Sequence, residues 1–292
     1  MNKKYRIVDG PESIQGSPEW HAFRKGKIGA SMAGAIMGVS PFTTPLQLWE
    51  EIQFGITKTQ NEAMKRGSAM EEEARRWLNN NTNISFKPIV LQRVDHPQII
   101  ASLDGYYRCE MGEVSICEIK CGGESLHEQA KEGRIPPYYY AQMQHQLDIT
   151  GLDTMIYLSY FQGDGQVTIV KKNQEYCNNL LRIELAFLDS LINFNPPEPT
   201  DRDWVKIDDF KAIENVARYK ELCEQIDVLE EEKEWLKQTI VSQIDHRRVI
   251  VGGNRIQKID RKGGIEYQKI EALKDIDLDQ YRKPNISSWR IY

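Results

Sequence analysis

The chain predicts an α/β fold, a mixed sheet flanked by helices, with a helical and short-stranded appendage at its C-terminal end. Three observations carry that expectation. Apolar residues recur at helical spacing up to about residue 80. Period-2 alternation then takes over, interrupted by two helical patterns, until about residue 171. Finally, the proline-rich stretch 195–200 separates this body from a long, charged, helical segment.

Each element has a local reason. Ser17 as N-cap and Pro18 at the first helical position start a helix that shares Trp20, Phe23 and Arg24 on one face. Ser31 is expected to cap a short helix over the small-residue run 32–37, and Thr44-Pro45 starts another through Leu48 and Trp49. A longer helix is expected over 61–79, with Gly67 out of pattern. Strands are expected at 85–95, 99–103, 105–110 and 114–121, with a sharp turn at Gly105. Helices at 125–132 and 137–150 follow. A hairpin of strands 155–162 and 166–171 then turns at Gly163-Asp164-Gly165. A helix over 174–194 closes a first domain, 1–195. Residues 196–207 read as a linker and 208–292 as a C-terminal region. That region holds a helix over 208–245 and short strands near 248–251, 255–260 and 265–269. Its stripe of Leu222, Ile226, Leu229, Trp235, Leu236 and Ile240 suits a helix packed on its own domain as well as an oligomerisation or partner-binding face.

Bulk properties narrow the class. With 292 residues, 40% hydrophobic and 28% charged, the composition is that of an ordinary globular protein. No apolar run approaches the roughly 20 residues of a bilayer span, and no signal-peptide core follows the basic start, so a cytoplasmic location without membrane contact is expected. A net charge of −5 argues against coating nucleic acid by bulk electrostatics, yet a nuclease needs only a locally basic channel. The 5 cysteines fit thiols in a reducing compartment. Cys109, Cys117 and Cys121 lack CxxC spacing and read as packed thiols rather than an iron–sulfur or metal site.

The chemistry concentrates around Asp104 and Glu118-Ile119-Lys120. Alternation puts Glu118 and Lys120 on one strand face, with Cys117, Ile119 and Cys121 on the other. Asp104 ends the preceding strand. Two carboxylates and an ammonium can thus converge, as phosphodiester hydrolysis requires: hard oxygen ligands for Mg²⁺, the Ile119 carbonyl among them, and a positive group near the attacking water. A surface Glu/Lys pair beside a turn Asp would look the same in isolation, but the apolar flanks of both segments speak against it. Glu71 lies one helical turn from Gly67, a mid-helix glycine best explained if backbone or ligand approaches there, and supplies a third carboxylate. Gln142 and Gln146 share a helix face able to bond a phosphate or a base edge, while His145 reads as structural. Arg24 with the Ser31 hydroxyl forms a candidate phosphate pocket.

In order and spacing these motifs, W-H-x-x-R…G-A-S, G-x-x-x-E, S-x-D-G, E-x-K and Q-x-Q, run from Trp20 to Gln144. The chain resembles the lambda-exonuclease/YqaJ group of viral recombination nucleases. The resemblance implies a PD-(D/E)XK, restriction-endonuclease-like core that digests linear duplex DNA from its ends, 5′ to 3′, leaving 3′ single-stranded tails. It implies a two-metal Mg²⁺ site, open to Mn²⁺, held by Glu71, Asp104, Glu118 and the Ile119 carbonyl. Lys120 then orients or activates the attacking water, Gln142 assists, and Arg24 and Ser31 grip the 5′-phosphate. A trimeric ring, a single-strand annealing partner and a phage or prophage origin are implied as well. The chain departs from the lambda enzyme in carrying Met32, not an acidic residue, after Ser31, and in the segment beyond Pro199. Two other readings remain at this point: a structure-specific or repair-associated nuclease of the same class, and a non-catalytic protein that binds DNA ends.

Overall fold

A seven-stranded mixed sheet organises the first part of the chain. The structure is a computed structural model that describes residues 4–56, 62–264, 266, 269–273, 276 and 281–284. Two units divide the chain, 1–205 and 206–292. Strands β1 (Tyr5–Ile7), β3 (Lys87–Arg93), β4 (Ile99–Arg108), β5 (Val114–Lys120), β6 (Thr154–Phe161) and β7 (Asp164–Lys171) lie side by side in that order. The short β2 (Ile28–Gly29) pairs with β4. Only the β2–β4 and β5–β6 pairs are parallel. The remaining pairs are antiparallel.

The helices start where their caps place them. The Ser17 side chain accepts from the Trp20 N–H at the head of α1 (Pro18–Arg24). Thr44 and Gln47 form a capping box on α3 (Pro45–Phe54). Ser31, however, does not cap α2 (Ala33–Ile36). It sits inside a 3₁₀ turn, Ala30–Met32, that precedes α2 and leaves Met32 at the cap position. Helix α4 covers Glu62–Thr82, α5 Glu124–Lys131, α6 Pro137–Thr150 and α7 Gln174–Ile192. One apolar cluster lies between the sheet and α6 and α7, with Leu103, Ile116, Tyr157, Met143, Leu147 and Phe187 among its members. A second lies on the other face, where Ala74 and Leu78 of α4 meet Cys117 and Ile119 of β5. β5 is thus covered on both faces, which is why it reads as largely apolar sequence broken only by Ser115, Glu118 and Lys120.

Of the two turns expected from glycines, one is absent and the other is shifted. β4 runs unbroken through Gly105, because the glycine serves close packing rather than a bend: a Cβ there would stand 2.3 Å from the Cys117 sulfur and 2.8 Å from the Phe86 Cβ. The hairpin between β6 and β7 turns two residues earlier than expected, at Gln162-Gly163, both with positive φ (48° and 85°). That is the twist-matched two-residue turn, and it leaves Asp164 paired with Phe161 inside the ladder.

After α7, Thr200–Asp203 is pinned to the first unit rather than hanging free. The Asp203 carboxylate accepts from the Thr44 hydroxyl and from Gln47, and Arg202 donates to the Ser40 carbonyl. In the second unit α8 (Phe210–Ser242) is capped by Asp209. A hairpin of β8 (Arg248–Val251) and β9 (Asn254–Gln257) follows. The third expected strand, near 265–269, falls largely outside the described residues.

Candidate active site

A fork in the sheet creates the site. β2 pairs with β4 at Ile99–Ile100, and β5 pairs with the same edge of β4 only from Gly105 onward. Between them, the edge at 101–104 has no strand partner, and side chains take over its hydrogen bonding. Gln15 donates to the Leu103 carbonyl at 3.0 Å, and the Asp104 carboxylate accepts from the Ile119 N–H at 2.8 Å. On the other edge of β4 the register slips by one residue, so that Pro88 of β3 alone faces Asp104 and Gly105. Proline brings no N–H to the ladder. The resulting bulge re-aims Asp104, and its carbonyl is taken by Arg75 Nε at 2.7 Å.

Glu118 stands on the β5 face that meets α6, with only 2% of its side chain exposed. A buried carboxylate of this kind requires donors on both oxygens. Oε1 accepts from Lys120 Nζ at 2.6 Å and from Gln142 Nε2 at 2.5 Å, and Oε2 accepts from Gln146 Nε2 at 2.5 Å. Gln142 and Gln146 are one turn apart on α6, as their spacing implies. Lys120 Nζ also lies 4.9 Å from the centre of the Tyr139 ring. The Gln146 Oε1 atom is buried without a hydrogen-bond partner, an acceptor still unused beside Glu118.

Glu71 joins from α4. A Cβ at Gly67 would come within 3.3 Å of the Cys121 carbonyl, so the glycine lets α4 cross close to the end of β5. One turn on, Glu71 Oε1 meets Arg75 at 2.5 Å, and Arg75 also holds Glu72 at 2.6 Å.

The electrostatics bind these groups into one unit. Burial, then the neighbouring charges of Glu118 and Glu71, push the Asp104 carboxyl well above the usual range, against the pull of Lys120. Burial likewise raises Glu71 in spite of Arg75. Lys120 would be lowered by burial, but Glu118 and Asp104 outweigh this and hold its ammonium charged. The Cys117 thiol is pushed well above its ordinary value and Cys121 up to about 12, by burial first and then by the nearby carboxylates. Both stay protonated.

The donor set, three carboxylates with hard oxygens, fits a divalent cation of the Mg²⁺ kind. Each carboxylate is nevertheless engaged by its own donor. Among the described residues no three His, Cys, Asp or Glu side chains are gathered into a ready cage.

The other predicted pocket lies upstream. Arg24 stacks on the Trp20 ring at 4.2 Å, and its Nη2 stands 3.4 Å from the Ser31 hydroxyl, a long contact. Of the Q-x-Q pair, Gln144 does not reach the carboxylates. It faces the other way, donating to the Lys171 carbonyl and accepting from the Asn173 N–H, and so ties β7 to α7. His145 is structural, fixed between Glu184 at 2.6 Å and the Ile100 carbonyl at 2.9 Å. Sequence reasoning passed over Arg75 altogether. Its signal was the i,i+4 spacing from Glu71 within an otherwise apolar face next to Ala74 and Leu78.

Residues 19–153 match the YqaJ-like viral recombinase domain. The uncharacterized protein YqaJ of Bacillus subtilis (strain 168) is 23% identical over 249 residues, spanning 80% of this chain and 77% of that protein. The crystal structure of the alkaline exonuclease LHK-Exo from Laribacter hongkongensis is 25% identical with a TM-score of 0.54, over 61% of this chain and 94% of that one. A crystal structure of LHK-Exo in complex with dAMP matches with the same values.

Proposed function

From the premise that residues 19–153 form a YqaJ-like viral recombinase domain on a lambda-exonuclease-like fold, we propose that this chain is a divalent-metal-dependent exonuclease that digests linear duplex DNA. Digestion runs 5′ to 3′ and leaves single-stranded 3′ tails for annealing-type recombination, in a bacterial cytoplasm and under a phage or prophage gene. One observation carries the reading above the others. Glu118 is buried and gripped by Lys120, Gln142 and Gln146, directly across from the bulge that aims Asp104 at the same strand. A surface Glu/Lys pair would have no need of two amides, that of Gln146 buried and that of Gln142 half-buried. The dAMP bound by LHK-Exo supports a nucleotide as product.

Glu71, Asp104, Glu118 and the Ile119 carbonyl would hold Mg²⁺ or Mn²⁺, a two-ion set by resemblance. Such ions would polarise the scissile phosphate and offset the charge that builds on it. Burial first, and then the repulsion of Glu118 and Glu71, disfavours a charged Asp104, and a bound cation would offset both. Gln142 and Gln146 fix the Glu118 carboxylate, leaving its remaining lone pairs for the ion. Lys120, whose ammonium Glu118 and Asp104 hold charged, would orient or activate the attacking water. Arg24 and Ser31 grip the 5′-phosphate. A homo-oligomeric ring around the duplex and a single-strand annealing protein complete the proposal.

The test is nucleotide release from linear duplex DNA bearing 5′-phosphates, in Mg²⁺ or in EDTA. Release that depends on Mg²⁺ and falls by on the order of 10²–10⁴ in Lys120→Ala supports the reading. Equal release by the folded variant removes Lys120 from the site. No release from wild-type protein that still binds ends moves the chain to a binding role. Arg24→Ala should lose the preference for 5′-phosphorylated over 5′-hydroxyl ends, and an unchanged preference takes Arg24 out of the pocket.

A further inference from the structure

Helix α8 is 33 residues long, and none of them is buried. Between Tyr219 and Ile240 its a and d positions form a heptad stripe, while Ile213, Val216, Val228, Trp235 and Val241 lie outside those positions. With Ile226 at a, the a positions are Tyr219, Ile226, Lys233 and Ile240, and the d positions are Leu222, Leu229 and Leu236. These five leucines and isoleucines are 40–61% exposed. A shallow open groove on α8 is lined by Leu229, Glu232, Lys233, Leu236, Lys237 and Ile240, which are its d, g, a, d, e and a positions. That is the surface into which a facing helix sets its knobs.

The residue choice also names the occupant. β-Branched isoleucine at a with leucine at d favours two parallel strands over three or four, and a single lysine at an a position fixes register and strand number at some cost in stability. The flanking charges agree. In a parallel in-register pair, Glu232 at g faces Lys237 at e′, and Gln225 at g faces Glu230 at e′. Arg218 at g faces Cys223 at e′, so no like charges meet. Glu232 and Lys237′ are thus complementary between two copies of this chain, and no flanking pair opposes them.

We propose that α8 pairs with α8 of a second copy of this chain as a parallel, two-stranded coiled coil. The pairing stands whether or not the first unit cuts DNA, and it joins chains through a surface separate from the nuclease fold. The experiment measures the mass of the full chain in solution by light scattering, for wild type and for Leu229→Lys with Leu236→Lys. Both residues are exposed, so the substitutions leave each chain able to fold. The average mass of wild type at micromolar concentration should be about twice that of the double variant. An unchanged mass overturns the pairing. Leu229→Cys under mild oxidation should give a two-chain crosslink absent from wild type, since d faces d′ across a parallel seam. If chains associate through α8 without that crosslink, the parallel register is wrong. Lys233→Ile should tighten association by tenfold or more, and a weakening would remove Lys233 from the seam.

Discussion

Helices α6 and α8 break the usual rule of burial in opposite directions. α6 has 14 residues and buries Gln144, His145, Gln146 and Asp148 alongside its apolar side chains, so that polar groups enter the core on several sides. α8 has 33 residues, buries none, and leaves Leu222, Ile226, Leu229, Leu236 and Ile240 to solvent. A buried polar group and an exposed apolar stripe are the two informative exceptions in a folded chain. In α6 each of these side chains has a hydrogen-bond or ionic partner within the chain, Gln146 through its Nε2 to Glu118 of the candidate site. In α8 none of the stripe is buried among the described residues. The candidate site therefore lies inside the first unit, and the proposed association lies on the surface of the second.

The comparison can be broken most forcefully at His145. His145→Leu leaves Glu184 as a buried, unpaired charge and should lower unfolding free energy by about 3–5 kcal/mol, read from denaturant melts. Burial alone would depress this histidine, but Glu184 and the Ile100 carbonyl hold it above its ordinary range. Its contribution is then fully present below the unfolded value of about 6.5 and is lost as pH rises through the higher folded value. The stability gap between wild type and His145→Gln should accordingly be wider at pH 6 than at pH 9, and a gap independent of pH would mean the ring is neutral throughout.

Arg75→Met tests whether a side chain outside the predicted set governs the carboxylates. Freed of its bonds to Glu71 and the Asp104 carbonyl, the site should lose roughly 10–100-fold in rate or metal affinity. Gln146→Leu is finer. It strips Oε2 of Glu118 of its donor and should cost about 1–3 kcal/mol of stability in the metal-free protein. Added Mg²⁺ should recover part of that loss, visible as a larger thermal shift than in wild type. The smallest effect belongs to α8. Trp235 is 63% exposed and lies outside the seam, so Trp235→Ala should change the stability of the first unit by less than about 0.5 kcal/mol.

How far the site was legible depended on how local its geometry is. The faces of β5 follow from alternation, and the Gln142/Gln146 pair follows from one helical turn, so both could be read directly. Gly67 beside Glu71 reads as a close approach of backbone or ligand, and the group that approaches is the Cys121 backbone. Gly105 was misread as a turn because a glycine in a strand looks the same whether it bends or makes room. Gln144 shares the three-residue Q-x-Q motif with Gln142, yet two residues along a helix point to different sides of α6, and only Gln142 reaches Glu118.

By itself, the amino-acid sequence determined the element order, the mixed sheet, the caps at Ser17 and Thr44, the carboxylate-bearing strand face and the heptad of α8. All of these depend on periodicities and caps within a few residues of one another. The tertiary structure alone decided that β2 and β5 share one edge of β4 with a gap between them, and that Pro88 lies opposite Asp104. It alone brought Arg75 to the Asp104 carbonyl. These contacts include pairs 29 positions apart, Arg75 with Asp104, and pairings as distant as Ile28 with Ile99, which no local pattern specifies. Their physical cause is the need of buried backbone and carboxylate groups for hydrogen bonds wherever the ladder stops.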